Sequence, residues 1–280
     1  MIKVIKSVKA MTELSSSLRR KGRSIGFVPT MGYLHDGHIS LVDQARKHND
    51  IVVVSIFVNP TQFGPKEDLK KYPRNMKRDL ALLSKAGVDF VFCPSAKGMY
   101  PEGYRTYIEV KGLSDKLCGA SRPGHFKGVA TIVAKLFNIV QPDAAYFGEK
   151  DFQQLVIIRR MANDLNMDVK VISMPTVREK SGLAMSSRNS YLSKEDALRA
   201  QAISRALKFA QTLVRSGVTS AAKVNDAISK LIKTAGLKID YIAICDPQTL
   251  EDKKQVKGKI LIAVAAYVGK TRLIDNVIIN

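Results

Sequence analysis

Apolar runs of strand length alternate with helical spacing through the first two thirds of the chain. Ser24–Pro29 and Ile51–Val58 are such runs, and the second is too β-branched, and too abruptly ended by Asn59-Pro60, to be helical; both predict buried strands. Between them Ile39, Val42 and Ala45 recur at helical spacing. Met76, Leu80 and Leu83 mark a second helix, closed by Gly87 just past its C-cap, and Val88–Cys93 reads as the next strand. Phe126–Val140 is a strongly apolar helix, Ala144–Phe147 a short strand, Asp151–Leu165 a helix and Val169–Ser173 a further strand. This rhythm predicts an α/β fold, a parallel sheet with helices on both faces.

After Thr176 the rhythm changes. Ser193 with Asp196 resembles a capping box that opens a long helix through Val214, ended by Gly217. A helix over Ala221–Ala235 is followed by strands at Ile239–Cys245, Lys259–Val268 and Thr271–Ile279, the last two joined by a tight turn at Gly269-Lys270. The pattern divides the chain into an α/β domain, residues 1–177, and a smaller α+β domain, residues 178–280. No internal repeat or low-complexity segment interrupts it.

At 280 residues and 45% hydrophobic, the chain can bury a core without covalent staples. Cys93, Cys118 and Cys245 are far apart and odd in number, which argues against a disulfide scaffold or a C-x-x-C zinc pair and for a reducing cytosol. The longest apolar runs, Ile51–Val58 and Ile260–Val268, are too short for a bilayer, and Met1–Lys9 has no signal-peptide pattern. The net charge of +20 raises the possibility of nucleic-acid binding. Yet the basic residues are scattered, 27 against 16 acidic before residue 178 and 18 against 9 from there on, with no tryptophan for stacking. A diffuse positive surface suits small anions equally, so no nucleic-acid partner is expected.

Five segments carry candidate chemistry. Val28-Pro29-Thr30-Met31-Gly32-Tyr33-Leu34-His35-Asp36-Gly37-His38 joins the first predicted strand to a helix. A Gly-rich turn at a strand's carboxyl end presents backbone N–H groups to an anion, and His35 and His38 sit where both reach the same phosphates. A capped turn with packed histidines, or half of a metal site, fits the same residues. In Tyr146-Phe147-Gly148-Glu149-Lys150-Asp151-Phe152-Gln153-Gln154 a strand again meets a helix, with Lys150 as a mobile point charge and Gln154 one turn further on. An ordinary charged helix start has the same composition. Ala184-Met185-Ser186-Ser187-Arg188-Asn189 is a polar loop between the two domains, able to close on phosphates or simply to link. Asn59-Pro60-Thr61-Gln62-Phe63 follows the second strand, where Gln62 occupies a switch-point position, and Arg122 lies in Cys118–His125. Gly269-Lys270-Thr271 imitates the end of a P-loop, but Val264 stands where a glycine is required and a strand follows. A G-x-G-x-x-G fingerprint is absent after the first strand, which argues against a nicotinamide dehydrogenase.

In combination these segments resemble the pantothenate synthetase (pantoate–β-alanine ligase) family over nearly the whole chain. The resemblance rests on Pro29 to His38, Phe57 to Phe63, Arg122-Pro123-Gly124-His125-Phe126, Phe147 to Asp151 and Met185-Ser186-Ser187-Arg188, in that order. It implies a Rossmann-like nucleotidylyltransferase domain with a C-terminal lid, a cytoplasmic homodimer, and condensation of pantoate with β-alanine through a pantoyl-adenylate, giving AMP and pyrophosphate. It places ATP against Met31, Gly32, Tyr33, Leu34, His35, Asp36, Gly37 and His38, against Gly148, Glu149, Lys150 and Asp151, and against Val177, Met185, Ser186, Ser187 and Arg188. His38, His35, Lys150, Ser186, Ser187 and Arg188 would act on the phosphates, with Mg²⁺ present and Asp79 as its side-chain candidate. Gln62, Gln154, Asn59 and Arg122 would hold the organic substrates. A cytidylyl- or adenylyltransferase of the same superfamily would instead release a nucleotide-bearing product.

Overall fold

The computed structural model describes residues 2–65 and 67–280. Six parallel strands form the first sheet: β1 (Lys3–Ile5), β2 (Ile25–Thr30), β3 (Ile51–Ile56), β4 (Phe90–Phe92), β5 (Ala144–Gly148) and β6 (Lys170–Met174). Their spatial order is β1-β4-β3-β2-β5-β6. Helices α1 (Val8–Arg20), α2 (Asp36–His48), α3 (Met76–Lys85), the short α4 (Ala96–Met99) and α5 (Leu117–Ser121), α6 (His125–Val140) and α7 (Phe152–Asp164) connect them. Both faces of β2 and β3 are covered, which is why these strands read as unbroken apolar runs rather than as alternation. One core layer gathers α1, α6 and α7 side chains such as Met11, Val133 and Ile157. The other gathers Leu41, Val42 and Leu83 from α2 and α3.

The chain then forms α8 (Lys194–Arg215), α9 (Ala221–Thr234) and an antiparallel sheet of β7 (Lys238–Cys245), β8 (Ile260–Val268) and β9 (Thr271–Ile279). Ser193 accepts the Asp196 N–H at the start of α8, and Val268 pairs with Thr271 across the two-residue turn, both as the sequence predicts. β8 is buried on both sides. Ile260, Ile262 and Val264 face α8 and α9, whereas Leu261 and Ala263 join the core of the first sheet.

Strand order positions the site. β2 passes to β3 on one side, while β5 returns on its other side, so the connections after β2 and β5 leave in opposite directions. Such a reversal opens a crevice at the carboxyl ends of the strands. The β2–β5 pairing extends only over Gly26–Ala144 and Phe27–Ala145, so the two strands separate toward that crevice. α6 seals its side by close backbone contact: a Cβ at Gly128 would lie 2.4 Å from the Thr61 carbonyl oxygen.

β1, α1 and the short helices α4 and α5 lie outside the sequence expectation. β1 is three residues long, and α1 carries Ser15-Ser16-Ser17 in its middle, which hides a helix whose Met11, Leu14 and Leu18 pack into the core. The strand expected at Val88–Cys93 shortens to Phe90–Phe92.

Gly128→Ala is expected to force α6 away from the Pro60–Gln62 turn and to lower stability by about 1–3 kcal/mol, the usual range for overpacking. Thermal unfolding checks this, and an unchanged midpoint would show that the close approach is not structurally required.

Candidate active site

The β2–α2 turn is shaped from behind. Gly32 and Tyr33 both adopt positive φ (81° and 50°), and Gly32 donates its N–H to Thr30 Oγ1 at 3.1 Å. The buried carboxylate of Asp79, from α3, accepts the N–H groups of Tyr33 and Leu34, each at 2.8 Å. Arg78 donates to the Leu34 carbonyl and lies over the Tyr33 ring. Leu34 itself is in the core, and the exposed Asp36 begins α2. Gly32, Tyr33, Leu34 and Asp36 therefore support or flank the turn instead of lining the cavity it faces. Asp79, the side-chain candidate for Mg²⁺, accepts one backbone N–H of this turn on each oxygen and does not line the cavity.

Held this way, the turn aims both histidines into the cavity. His35 donates its backbone N–H to His38 Nδ1 at 3.3 Å, and the two rings lie 4.0 Å apart. With Nδ1 accepting, His38 carries its ring hydrogen on Nε2. The His35 ring packs across Gly37, where a Cβ would come within 2.9 Å of it. Burial, reinforced by the Lys150 charge, pushes His35 down to about 4. Burial, the neighbouring His35 and Lys150 hold His38 well below the ordinary imidazole range. Both rings are neutral at pH 7, so each offers an N–H donor without a charge.

The β5–α7 turn supplies the opposite wall. Gly148, Lys150, Asp151 and Gln154 line the cavity, and Lys150 Nζ lies 3.6 Å from Asp151 Oδ2. Glu149, expected at the nucleotide, does not line it. The adjacent glutamines divide their work. Gln153 turns inward, accepting the Cys118 N–H and donating to the carbonyls of Leu113 and Lys116, while Gln154 faces the cavity.

The third wall is the segment after β6. Met185 donates its N–H to the Val177 carbonyl at 3.0 Å, which folds the intervening residues into a small hairpin. Ser186 Oγ accepts the Arg188 N–H, and Ser187 Oγ donates to the Tyr33 carbonyl at 3.1 Å, tying this segment to the histidine turn. Arg188 donates from Nε and Nη2 to Asp68, at 3.0 and 2.9 Å, and lies over Tyr72. Burial alone would raise Asp68, but the Arg188 bonds outweigh it and hold the carboxyl below its usual range.

The fourth wall follows β3. Asn59, expected to touch substrate, has its amide fully engaged: Nδ2 donates to Gln62 Oε1 and the Gly128 carbonyl, and Oδ1 accepts from Thr61 and Tyr100. It orients Gln62, whose Nε2 donates one hydrogen to Met31 Sδ at 3.1 Å and keeps the other for a ligand. Arg122 is likewise committed, in a two-point pair with Glu67 and a contact of Nη1 with His125 Nε2 at 3.0 Å. His125 Nδ1 lies 2.7 Å from the Gln62 carbonyl, and burial, with Arg122 beside it, pushes the ring down to about 4. Arg122 and Asn59 thus hold Gln62 from two sides.

These walls enclose a cavity of about 230 Å³ with an apolar floor of Val129, Ile132, Val133 and Leu136 from α6. His35, His38, Lys150, Gln62, Gln154, Val177 and Met185–Arg188 meet there. His125, Tyr72, Glu67 and Asp68 belong to the site but were not among the expected functional residues. His125 has a signal in the Arg122–Phe126 block, whereas Glu67 and Asp68 lie in an irregular segment with no periodicity. No group of three or more His, Cys, Asp or Glu that could hold a metal ion occurs among the described residues, and no helix there is long and apolar enough to cross a membrane.

A doubly wound α/β domain with N–H donors and cations around its switch point defines a nucleotide- or phosphate-binding protein. Its known relatives narrow this. The sequence model described as Pantoate-beta-alanine ligase matches residues 3–278. The chain is 53% identical to the pantothenate synthetase of Fervidobacterium nodosum over 279 residues, all of both chains, and 55% identical to that of Pseudothermotoga lettingae over 278 residues, 99% of each. The crystal structure of pantothenate synthetase from Thermus thermophilus superposes with a TM-score of 0.93 at 46% identity, covering 98% of both chains. That of pantoate-beta-alanine ligase from Francisella tularensis, complexed with beta-gamma ATP and beta-alanine, gives 0.82 at 38% identity, covering 99% of this chain and 97% of that one. The chain belongs to the pantoate–β-alanine ligase family.

The depressed histidines carry a pH consequence. Above pH 6.5 they are neutral in both folded and unfolded chains. Below it the unfolded chain takes up protons first, so stability falls as pH drops toward about 4, by up to about 1.4 kcal/mol per pH unit for each imidazole. The His35→Asn/His38→Asn double variant is expected to lose less stability than the parent between pH 6.5 and 4.5 in denaturant titrations. Parallel profiles would contradict the assigned neutral state.

Proposed function

We propose that this chain condenses pantoate with β-alanine at the expense of ATP, through a pantoyl-adenylate formed in the cavity described. The observation that carries the reading is the convergence of the His35–His38 turn, Lys150 and the Ser186–Arg188 segment on one cavity, with the glutamines Gln62 and Gln154 also lining it. Pantoate's carboxylate is ionised at pH 7, so its attack on the α-phosphorus needs no general base. The obstacle is repulsion between an anion and a polyanion, together with charge that builds on departing pyrophosphate. Donors and cations fixed in advance lower that barrier.

His38, through Nε2–H, and His35 donate to the phosphates. Lys150 adds a point charge. Arg188 adds a planar one that Asp68 already orients. Ser186 and Ser187 contribute at the same edge, Ser187 chiefly by holding the segment to Tyr33. With the Met185 N–H bonded to Val177, adenine is left the Val177 N–H and the Met185 carbonyl. Gln62 Nε2, oriented by Asn59, and Gln154 hold pantoate, and Gln62 also meets β-alanine. In the second half-reaction the neutral amine of β-alanine attacks the activated carbonyl carbon, the C–N bond forms and AMP leaves. The apolar floor from α6 and the α+β unit, residues 178–280, acting as a lid, keep water from the adenylate.

The described side chains do not build a cage for Mg²⁺, and no step here runs through one; a cation accompanying ATP is held by the nucleotide's own phosphates. We further read the chain as a cytoplasmic homodimer, as its resemblance to the family implies. Its three free cysteines agree with a reducing compartment.

Exchange of labelled pyrophosphate into ATP is expected to require pantoate but not β-alanine, and exchange that needs the amine would contradict a discrete adenylate. His38→Ala is expected to slow that exchange by roughly 100- to 1000-fold, the range for a lost electrostatic donor. A rate near that of the parent would remove His38 from the mechanism. Gln62→Ala is expected to raise the KM for pantoate far more than that for ATP, and equal effects would argue against its assignment.

A further inference from the structure

The C-terminal sheet reaches the phosphate side of the cavity through two consecutive residues of its edge strand. Alternation along β9 directs Asp275 toward the α8–α9 core and Asn276 toward the core of the first sheet. Asn276, only 8% exposed, donates from Nδ2 to the carbonyl oxygens of both Glu149 and Lys150, each at 2.9 Å. These two bonds fix the peptide planes on either side of the Lys150 Cα. Asp275, 3% exposed, accepts Arg178 Nη1 at 2.6 Å and Nη2 at 2.9 Å, and also the Asn276 N–H at 2.8 Å. Arg178 in turn donates to the Gly182 carbonyl inside the hairpin that Val177 and Met185 close. One strand thus holds the Lys150 turn with one side chain and the root of the Ser186–Arg188 segment with the next.

We propose that Asn276 is a positioning residue for adenylate formation, acting through Lys150, and that Asp275 braces the opposing segment so that the two cationic arms keep their spacing. A lysine on a four-carbon stem directs its charge only as well as its backbone is held. Here the two side-chain hydrogen bonds to the turn's carbonyls come from a residue 127 and 126 positions away in the chain. Loss of about an ångström of placement at a reacting centre costs on the order of 100-fold in rate. The α+β unit therefore contributes more than cover, since it sets the geometry of a group in the other half of the chain.

The inference rests on the assignment of Lys150 to the phosphates, and a double-mutant cycle tests the two separately. Pantoate-dependent pyrophosphate–ATP exchange is measured for the parent, Asn276→Ala, Lys150→Ala and the double variant, with thermal unfolding to confirm folding. Asn276→Ala is expected to lower the exchange kcat by roughly 10- to 100-fold, with a smaller change in the KM for pantoate. In the Lys150→Ala background the same change is expected to cost less than about threefold, because the group it positions is gone. If Asn276→Ala does not fold, the near-isosteric Asn276→Asp, which removes the donor pair while keeping the volume, takes its place in the cycle. A single variant within twofold of the parent, or losses that multiply in the double variant, would overturn the role of Asn276 alone. Full activity in Lys150→Ala would overturn the assignment of Lys150 and the inference with it.

Discussion

The repulsion between a carboxylate and a triphosphate is the constraint around which this site is arranged. An excess of bare cations would attract both, but in an apolar, half-enclosed cavity unpaired charges are costly. The structure meets this by giving the cations near the cavity carboxylate partners: Lys150 has Asp151, Arg188 has Asp68 and Arg122 has Glu67. The remaining donors, His35 and His38, are neutral. A ligand therefore meets charges already oriented by their partners. The net charge of +20 is a property of the wider surface and has no counterpart in this arrangement.

The arrangement depends on strand order. Because β2 and β5 are neighbours whose connections diverge, two strand-to-helix turns distant in sequence face each other across one crevice. Each turn is then stiffened from outside the cavity. Asp79 and Arg78 grip the histidine turn, Asn59 and His125 grip Gln62, and Asn276 grips the Lys150 turn. Many of the polar side chains around this site thus do structural work one layer behind the ligand. That division explains why Asn59 and Arg122, which line the cavity, have little hydrogen-bonding capacity left to offer.

The parallel strands and their helices were legible because burial on both faces writes continuous apolar runs, as in β2, β3 and α6. Short or disguised elements were not. β1 has three residues, and the serines in the middle of α1 mask its apolar stripe. At the site, the residues on strand-to-helix turns could be read because such turns have a recognisable composition. Glu67, Asp68 and Asn276 could not, because an irregular segment or an edge strand gives no periodic signal for what its polar side chains hold. Asp79 could be seen as a carboxylate near the turn, but only the fold shows that it faces the backbone N–H groups behind it.

The most direct test of the central claim is a crystal structure with a non-hydrolysable ATP analogue and pantoate. The account requires the phosphates within hydrogen-bond distance, about 2.7–3.2 Å, of His38 Nε2 and Lys150 Nζ, with Arg188 shared between Asp68 and the nucleotide. A triphosphate bound elsewhere, with both imidazoles packed against each other and the Arg188–Asp68 pair untouched, would contradict it.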